Sequence, residues 1–165
     1  MITFERDGAR FNYRTVGVCV EDGWVLLHRA ERDDFWSLPG GRVELGEDSA
    51  AALGRELHEE LGEDSAAEVG WLLWVVENFF TLDGVPYHEL GLYYAVTLPP
   101  ESAWHDKSRE HAGIEEDLDG PLRLVFRWFP LAALADLPLY PVFLRTALQR
   151  LPAHTERIVN RDARA

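Results

Sequence analysis

The sequence is poor in sulfur, in positive charge and in long apolar runs. Among its 165 residues there is one cysteine, Cys19, and one methionine. A single thiol excludes an internal disulfide and fits a reducing, cytoplasmic setting. Lys and Arg number 16 against 29 Asp and Glu, giving a net charge of −13. So acidic a chain is a poor partner for a nucleic-acid polymer, whose binding rests on cations that neutralise phosphates. A small phosphate ester remains open to it, provided divalent cations stand between carboxylates and phosphates. The longest apolar run, Trp71 to Val76, is far too short to span a bilayer. The opening residues, Met1 to Asp7, lack a basic segment followed by an apolar stretch, so no signal peptide and no membrane association are expected.

Repeats, low-complexity tracts and breaks in composition are also missing. One domain is therefore expected over residues 1–152, followed by a tail, 153–165, that has no apolar period and is expected to fray. Apolar residues make up 47% of the chain, enough to build a core. Thr15–Val20 and Trp24–Leu27 read as strands joined by the tight turn Glu21-Asp22-Gly23. A short strand is expected at Phe35–Leu38, stopped by Pro39-Gly40-Gly41. Val69–Phe80 and Glu89–Leu98 form a second predicted hairpin around Leu82-Asp83-Gly84-Val85-Pro86. Leu122–Phe129 is a further strand, and residues 99–121 read as a long polar link. Helices are expected at Ser49–Leu61 and Val142–Leu151, with a short one near Leu131–Ala135. That order predicts an α/β fold, a sheet covered by helices on both faces.

The informative stretch is LPGGRVELGEDSAAALGRELHEELG, Leu38 to Gly62. Ser49 is the expected N-cap, with Glu47 and Asp48 at the positive end of the helix dipole and Gly62 at its close. At 100° per residue, Ala50, Leu53, Leu57 and Leu61 fall on one stripe suited to packing on a sheet. Glu56, Glu59 and Glu60, at i, i+3 and i+4, gather on the neighbouring stripe. In open water this would be an ordinary solvated acidic face. Partly shielded, at about 5–6 Å and an effective dielectric near 20, each pair repels by about 3 kcal/mol. Such repulsion calls for a counter-charge, and hard oxygen donors select Mg²⁺, Mn²⁺ or Ca²⁺ over zinc.

The spacing narrows the choice. Gly41, five residues, Glu47, seven residues, then Arg55-Glu56-Leu57-His58-Glu59-Glu60-Leu61-Gly62 resembles the signature of the Nudix hydrolase superfamily (MutT-like). Seven fixed residue types at about 7% frequency each give a chance match of about 10⁻⁸ per starting position. Glu63 departs from the pattern, which ends on an apolar residue.

The resemblance implies a Nudix-type α/β/α sandwich with a central mixed sheet. It also implies divalent-metal-dependent hydrolysis of a phosphoanhydride bond in a nucleoside diphosphate linked to another moiety: a nucleoside triphosphate, an oxidised nucleotide, ADP-ribose or a nucleotide sugar. The implied metal ligands, for Mg²⁺ or Mn²⁺, are Glu56, Glu59 and Glu60 with the carbonyl of Gly40. Arg55 and Glu47 form a supporting ion pair, and Gly41 lets metal and phosphate approach the backbone. The catalytic base is Glu56 or a residue outside the box. For the latter Glu115 and Glu116 are favoured among Glu110, Asp117, His105 and His111. Arg29 and Arg32 are candidate phosphate contacts. Trp36, Phe79, Phe80 and Tyr87 are candidate base-stacking residues or core. A small nucleotide-like substrate is the expected partner, and a homodimer is compatible with the family. Two alternatives stand beside this reading. One is a non-catalytic Nudix-fold nucleotide sensor. The other is an isoprenoid diphosphate isomerase, for which Cys19, in an apolar strand, is poorly placed.

Overall fold

The structure is a computed structural model that describes residues 1–62, 66–117 and 120–162, without the side chains of residues 116 and 117. Glu63, where the sequence leaves the family pattern, therefore lies outside the described residues.

Two sheets form the centre. The first is mixed. Its strands β1 (Thr3–Arg6), β2 (Ala9–Val18), β7 (Val85–Thr97), β6 (Glu68–Leu82) and β10 (Glu156–Asp162) run in that spatial order, with β5 (Gly40–Arg42) paired to β2. The β2–β7 and β6–β10 pairings are parallel and the others antiparallel. The second sheet is antiparallel, in the order β3 (Val20–Glu21), β4 (Trp24–Ala30), β9 (Gly120–Pro130) and β8 (His111–Asp117).

Both predicted turns are present, although only Val20–Glu21 of the first predicted strand pairs across its turn, while Thr15–Val18 belongs to β2 in the other sheet. Asp22-Gly23 and Asp83-Gly84 each place two successive residues at positive φ (50° then 78°, and 50° then 77°), the geometry that matches strand twist in a two-residue hairpin.

Helices cover both faces. Helix α1 (Ser49–Leu61) lies over one apolar cluster, and the short α2 (Leu144–Ala147) over the other. Alternation along β4 divides its side chains between the two. Val25 and Leu27 enter the α2 side, while Leu26 and Ala30 enter the α1 side with Leu53, Leu57 and Leu61. Burial on both faces is why this strand reads as a continuous apolar run. Cys19 is buried on the α1 side, and burial pushes its thiol up to about 12, so it is packed rather than reactive. No helix among the described residues is long and apolar enough to cross a membrane.

Several expectations need correction. The N-cap of α1 is Asp48, whose carboxylate accepts from the Ala50 and Ala51 N–H groups, both at 3.0 Å. Ser49 instead is buried, with its hydroxyl 2.7 Å from the Tyr94 hydroxyl. Ala52, not Ala50, joins the buried stripe. The segment Phe35–Leu38 makes only isolated bridges, at Trp36 and Ser37. Helix α2 is shorter than predicted, because i→i−3 bonds replace the helical pattern toward both ends of residues 141–150.

The expected polar link contains a 3₁₀ turn, Ala103–His105, and then β8, which pairs with β9 along its length. Trp104 anchors this segment: its carbonyl accepts from the Trp128 indole at 2.7 Å, and its ring stacks on His111. The expected fraying tail is mostly strand. Residues 156–162 form β10, with buried Asn160 and half-buried Ile158 facing inward. A short parallel edge strand with four charged residues offers too little apolar alternation to be seen in sequence.

Candidate active site

The three glutamates of α1 occupy three environments. Glu59 is exposed, Glu56 is half-buried, and Glu60 is buried at 2% exposure. Glu60 sits on the turn that faces the sheet, near His28 of β4, whose Nδ1 is 3.8 Å from its Oε1. Neither carboxylate oxygen of Glu60 has a hydrogen-bond partner, and neither does His28 Nδ1. The Gly40 N–H lies near enough to favour the Glu60 charge weakly, but outside good hydrogen-bond geometry. Burial, reinforced by Glu115 and Glu56, therefore holds the Glu60 carboxyl well above the usual carboxylate range. Burial and the Arg14 cation push His28 down to about 3.

Glu56 rests against Gly41. A Cβ on Gly41 would lie 2.1 Å from the Glu56 carboxyl carbon, so any side chain there would displace the carboxylate from this position. Burial raises the Glu56 pKa, and the Arg55 guanidinium opposes that shift. Arg55 grips Glu47 with two hydrogen bonds of 3.0 and 3.1 Å. Its Nη1 donates to Glu56 at 2.9 Å and lies 3.5 Å from Glu59. Its Nη2 also donates to the Arg42 carbonyl at 3.3 Å. One side chain thus ties the loop before the helix to two of its glutamates.

The opposite wall comes from β8. Alternation puts His111, Gly113 and Glu115 on one face, with Gly113 pressed against the end of α1. Glu115 then reaches a cleft of about 290 Å³ that Glu56, Glu59, Gly40, Gly41 and Arg14 also line. The side chain of Glu116 lies outside the described residues, as does that of Asp117. The remaining outside candidates are elsewhere: His105 is bound to Glu21 and the Pro99 carbonyl, His111 donates from Nε2 to the Asp106 carbonyl, and Glu110 is exposed.

Arg14 of β2 is the residue that the sequence reading missed. It donates to the Gly40 carbonyl at 3.2 Å, and its Nε is enclosed without a partner. Burial works against its charge, but Glu89, Tyr93, Glu115 and Glu60 outweigh it and raise its pKa. The sequence offers only a cation immediately before the apolar run Thr15–Val20. Arg29 and Arg32, by contrast, do not line the cleft. Arg29 donates to the carbonyls of Ala30, Glu31 and Asp33 and lies over the Trp36 ring, so it organises its own loop. Arg32 is exposed. Of the aromatics, Trp36 is core, Phe79 stacks on His88, and Phe80 stacks on Tyr87.

Among the described residues, no three His, Cys, Asp or Glu side chains converge as a ready-made metal cluster. The donors nevertheless suit a hard divalent cation. Glu56, Glu59, Glu115 and Gly40 bring oxygens to the cleft, and Glu60, one residue along the helix from Glu59, is buried with no partner of its own.

Two sheets between helices, with an acidic helix edge facing a cleft, define a Nudix-type α/β protein. A family model, the NUDIX domain, matches residues 12–151, and the chain belongs to that family of hydrolases, whose members generally use a divalent metal. Solved structures agree on the fold. A MutT NUDIX hydrolase from Burkholderia pseudomallei is 22% identical, with a TM-score of 0.55 over 82% of this chain and 95% of that one. A mutator MutT protein from Bacillus halodurans is 18% identical, with a TM-score of 0.55 over 92% and 89%. A UDP-X diphosphatase is 18% identical, with a TM-score of 0.51 over 89% and 66%. Comparison with curated proteins returned no match.

Proposed function

We propose that the protein hydrolyses a phosphoanhydride bond in a nucleoside diphosphate linked to another group, with Mg²⁺ or Mn²⁺ as cofactor. The observation that carries this reading is Glu60, a buried carboxylate with two partnerless oxygens beside the cleft. Burying an unpaired carboxylate is costly, and a protein keeps such a group where a cation compensates it.

Glu56, Glu59, Glu60 and the Gly40 carbonyl would hold the cation. When bound, it neutralises phosphate charge, polarises a phosphorus–oxygen bond and acidifies a bound water. The chain's own residues supply the rest. Arg55, fixed by Glu47, orients Glu56 so that its carboxylate stays over Gly41. Arg14, which lines the cleft, sets a cation beside an incoming phosphate. Glu115, on the facing wall, takes the proton of the attacking water at its carboxylate. The water oxygen bonds to phosphorus, the bridging oxygen leaves with its electron pair, and two phosphorylated products result.

A panel of nucleoside triphosphates, ADP-ribose and nucleotide sugars, assayed with Mg²⁺ or Mn²⁺ and again in EDTA, tests this. Cleavage of at least one member, lost in EDTA, is the expected result. Binding without turnover across the whole panel would overturn it.

A further inference from the structure

Five residues stand side by side across the mixed sheet, from one edge to the other. They are Phe4 of β1, Phe11 of β2, His88 of β7, Phe79 of β6 and Arg161 of β10. Each touches the next. Phe4 stacks on Phe11 with ring centres 5.0 Å apart, Phe11 meets His88 edge-on at 5.5 Å, and Phe79 stacks on His88 at 4.4 Å. The Arg161 guanidinium lies 4.3 Å from the centre of the Phe79 ring. We propose that this ladder is the face on which a second copy of the chain docks, in a twofold homodimer.

The ladder lies on the α1 side of the sheet but beyond the reach of the helix. Thr15, on the same side of β2 as Phe11, marks where α1 begins, its hydroxyl donating to the Ser49 carbonyl at 2.8 Å. Toward Phe11 the face opens. His88 at its centre is exposed, and so are Arg161 and Phe4, the last at 54%. Half-buried Tyr13 and Leu90 and exposed Val159 add a second row beside the first. A contiguous apolar face of this kind marks an interaction site.

Charge selects the partner. The chain carries −13, so most approaches of one copy to another set carboxylates against carboxylates. In the ladder and its second row the one carboxylate is Glu77, and Arg157 neutralises it through a hydrogen bond of 2.8 Å. Two acidic copies can therefore meet here without that repulsion. A nucleic-acid strand would find rings to stack on, but the single guanidinium of the ladder does not offset so acidic a chain.

The ladder is also its own complement, with a phenylalanine at the β1 end and a cation at the β10 end. A twofold axis running along β7 between two such faces sets His88 opposite the partner's His88. The same axis sets Phe4 opposite the partner's Arg161, a cation–π pair at both ends of the interface. Strands of the two sheets then lie nearly aligned, a common sheet-on-sheet packing. Strands about 4.8 Å apart make the ladder about 19 Å wide, and the second row adds about 7 Å along the strands. That footprint is at the small end of specific interfaces, so a weak dimer with a Kd of about 10 µM is expected.

Sedimentation velocity of the full chain, at about 1–200 µM on either side of that Kd, tests the proposal. Wild type is expected to pass from monomer to dimer, more readily at higher salt, which screens the repulsion between two acidic bodies. Phe4→Arg sets like charges together and is expected to weaken the dimer at least about tenfold, whereas Phe4→Glu places a carboxylate opposite Arg161 and weakens it less. Phe4 is exposed, so both variants keep the fold. A monomer throughout the range would overturn the proposal. So would a dimer that the two Phe4 variants leave unchanged or weaken equally. A monomer that binds a single-stranded oligonucleotide, and loses it in Phe4→Glu, would assign the ladder to nucleic acid instead. Oligomeric state is read without substrate, so its result stands apart from the hydrolase reading.

Discussion

Gly113 of β8 sits directly against the carbonyl of Glu60: a Cβ added to the glycine would lie 2.4 Å from that oxygen. The contact fixes how closely the second sheet approaches the acidic helix. Two residues along the same strand face, Glu115 enters the cleft.

Gly113→Ala is therefore expected to push β8 away from α1. Stability should fall by about 1–3 kcal/mol in urea unfolding, the usual range for overpacking. Turnover should drop by more than the change in folded fraction explains, because Glu115 moves with its strand. Unaltered turnover in folded protein would separate Glu115 from the reaction.

Glu60→Gln keeps the shape and removes the buried charge. Metal-dependent turnover should fall by at least about a hundredfold, the scale of losing a key electrostatic group. The metal-free protein should respond in the opposite sense. Because the folded pKa of Glu60 is raised, its protonated form favours the fold below the ordinary carboxylate range, and that stability is lost as pH climbs through the raised value. In EDTA, wild-type melting temperature should thus decline with rising pH while the Gln variant declines less. Parallel curves would contradict the assignment.

Arg55→Lys removes the two-pronged grip on Glu47 and the bond to Glu56 together. Metal affinity or activity should fall by about 10- to 100-fold, as is usual when a ligand loses its support. Mn²⁺ binding by electron paramagnetic resonance and initial rates would both register it.

Far from the cleft, His105 lies within hydrogen-bond distance of both Glu21 carboxylate oxygens and of the Pro99 carbonyl. The hydrogen bond to Glu21 raises the His105 pKa. Its contribution to stability is complete below the usual histidine range and disappears as pH rises through the raised value. His105→Gln should flatten that part of the pH–stability curve by a few tenths of a kcal/mol, since the pair is partly exposed. Melting curves from pH 5 to 9 would measure it.

What sequence revealed, and what it did not, follows from the range of each signal. Helix α1 is specified locally, by a capping carboxylate, a leucine stripe and Gly62, and its glutamates follow from periodicity alone. Both hairpins announce themselves through Asp-Gly pairs. Strands β8 and β10 do not, because β8 is polar on much of its length and β10 relies on a distant parallel partner. Arg14 shows the same limit. A cation in a strand carries no local mark of the cleft that Gly40, Glu56 and Glu115 build around it from other parts of the chain. Arg29 errs the other way: its charge suggested a phosphate, whereas three neighbouring carbonyls use it.

The pairing of β10 with β6 reaches beyond architecture. The family match ends at residue 151, yet the polypeptide that follows caps the open side of β6 and, through Asn160, braces Asn78. A version stopped at that boundary would present a bare row of amide and carbonyl groups, ready to recruit another chain. It would also remove one of the two hydrogen bonds that hold the buried Asn78 amide. Self-association and a loosened Asn78 would then share one origin.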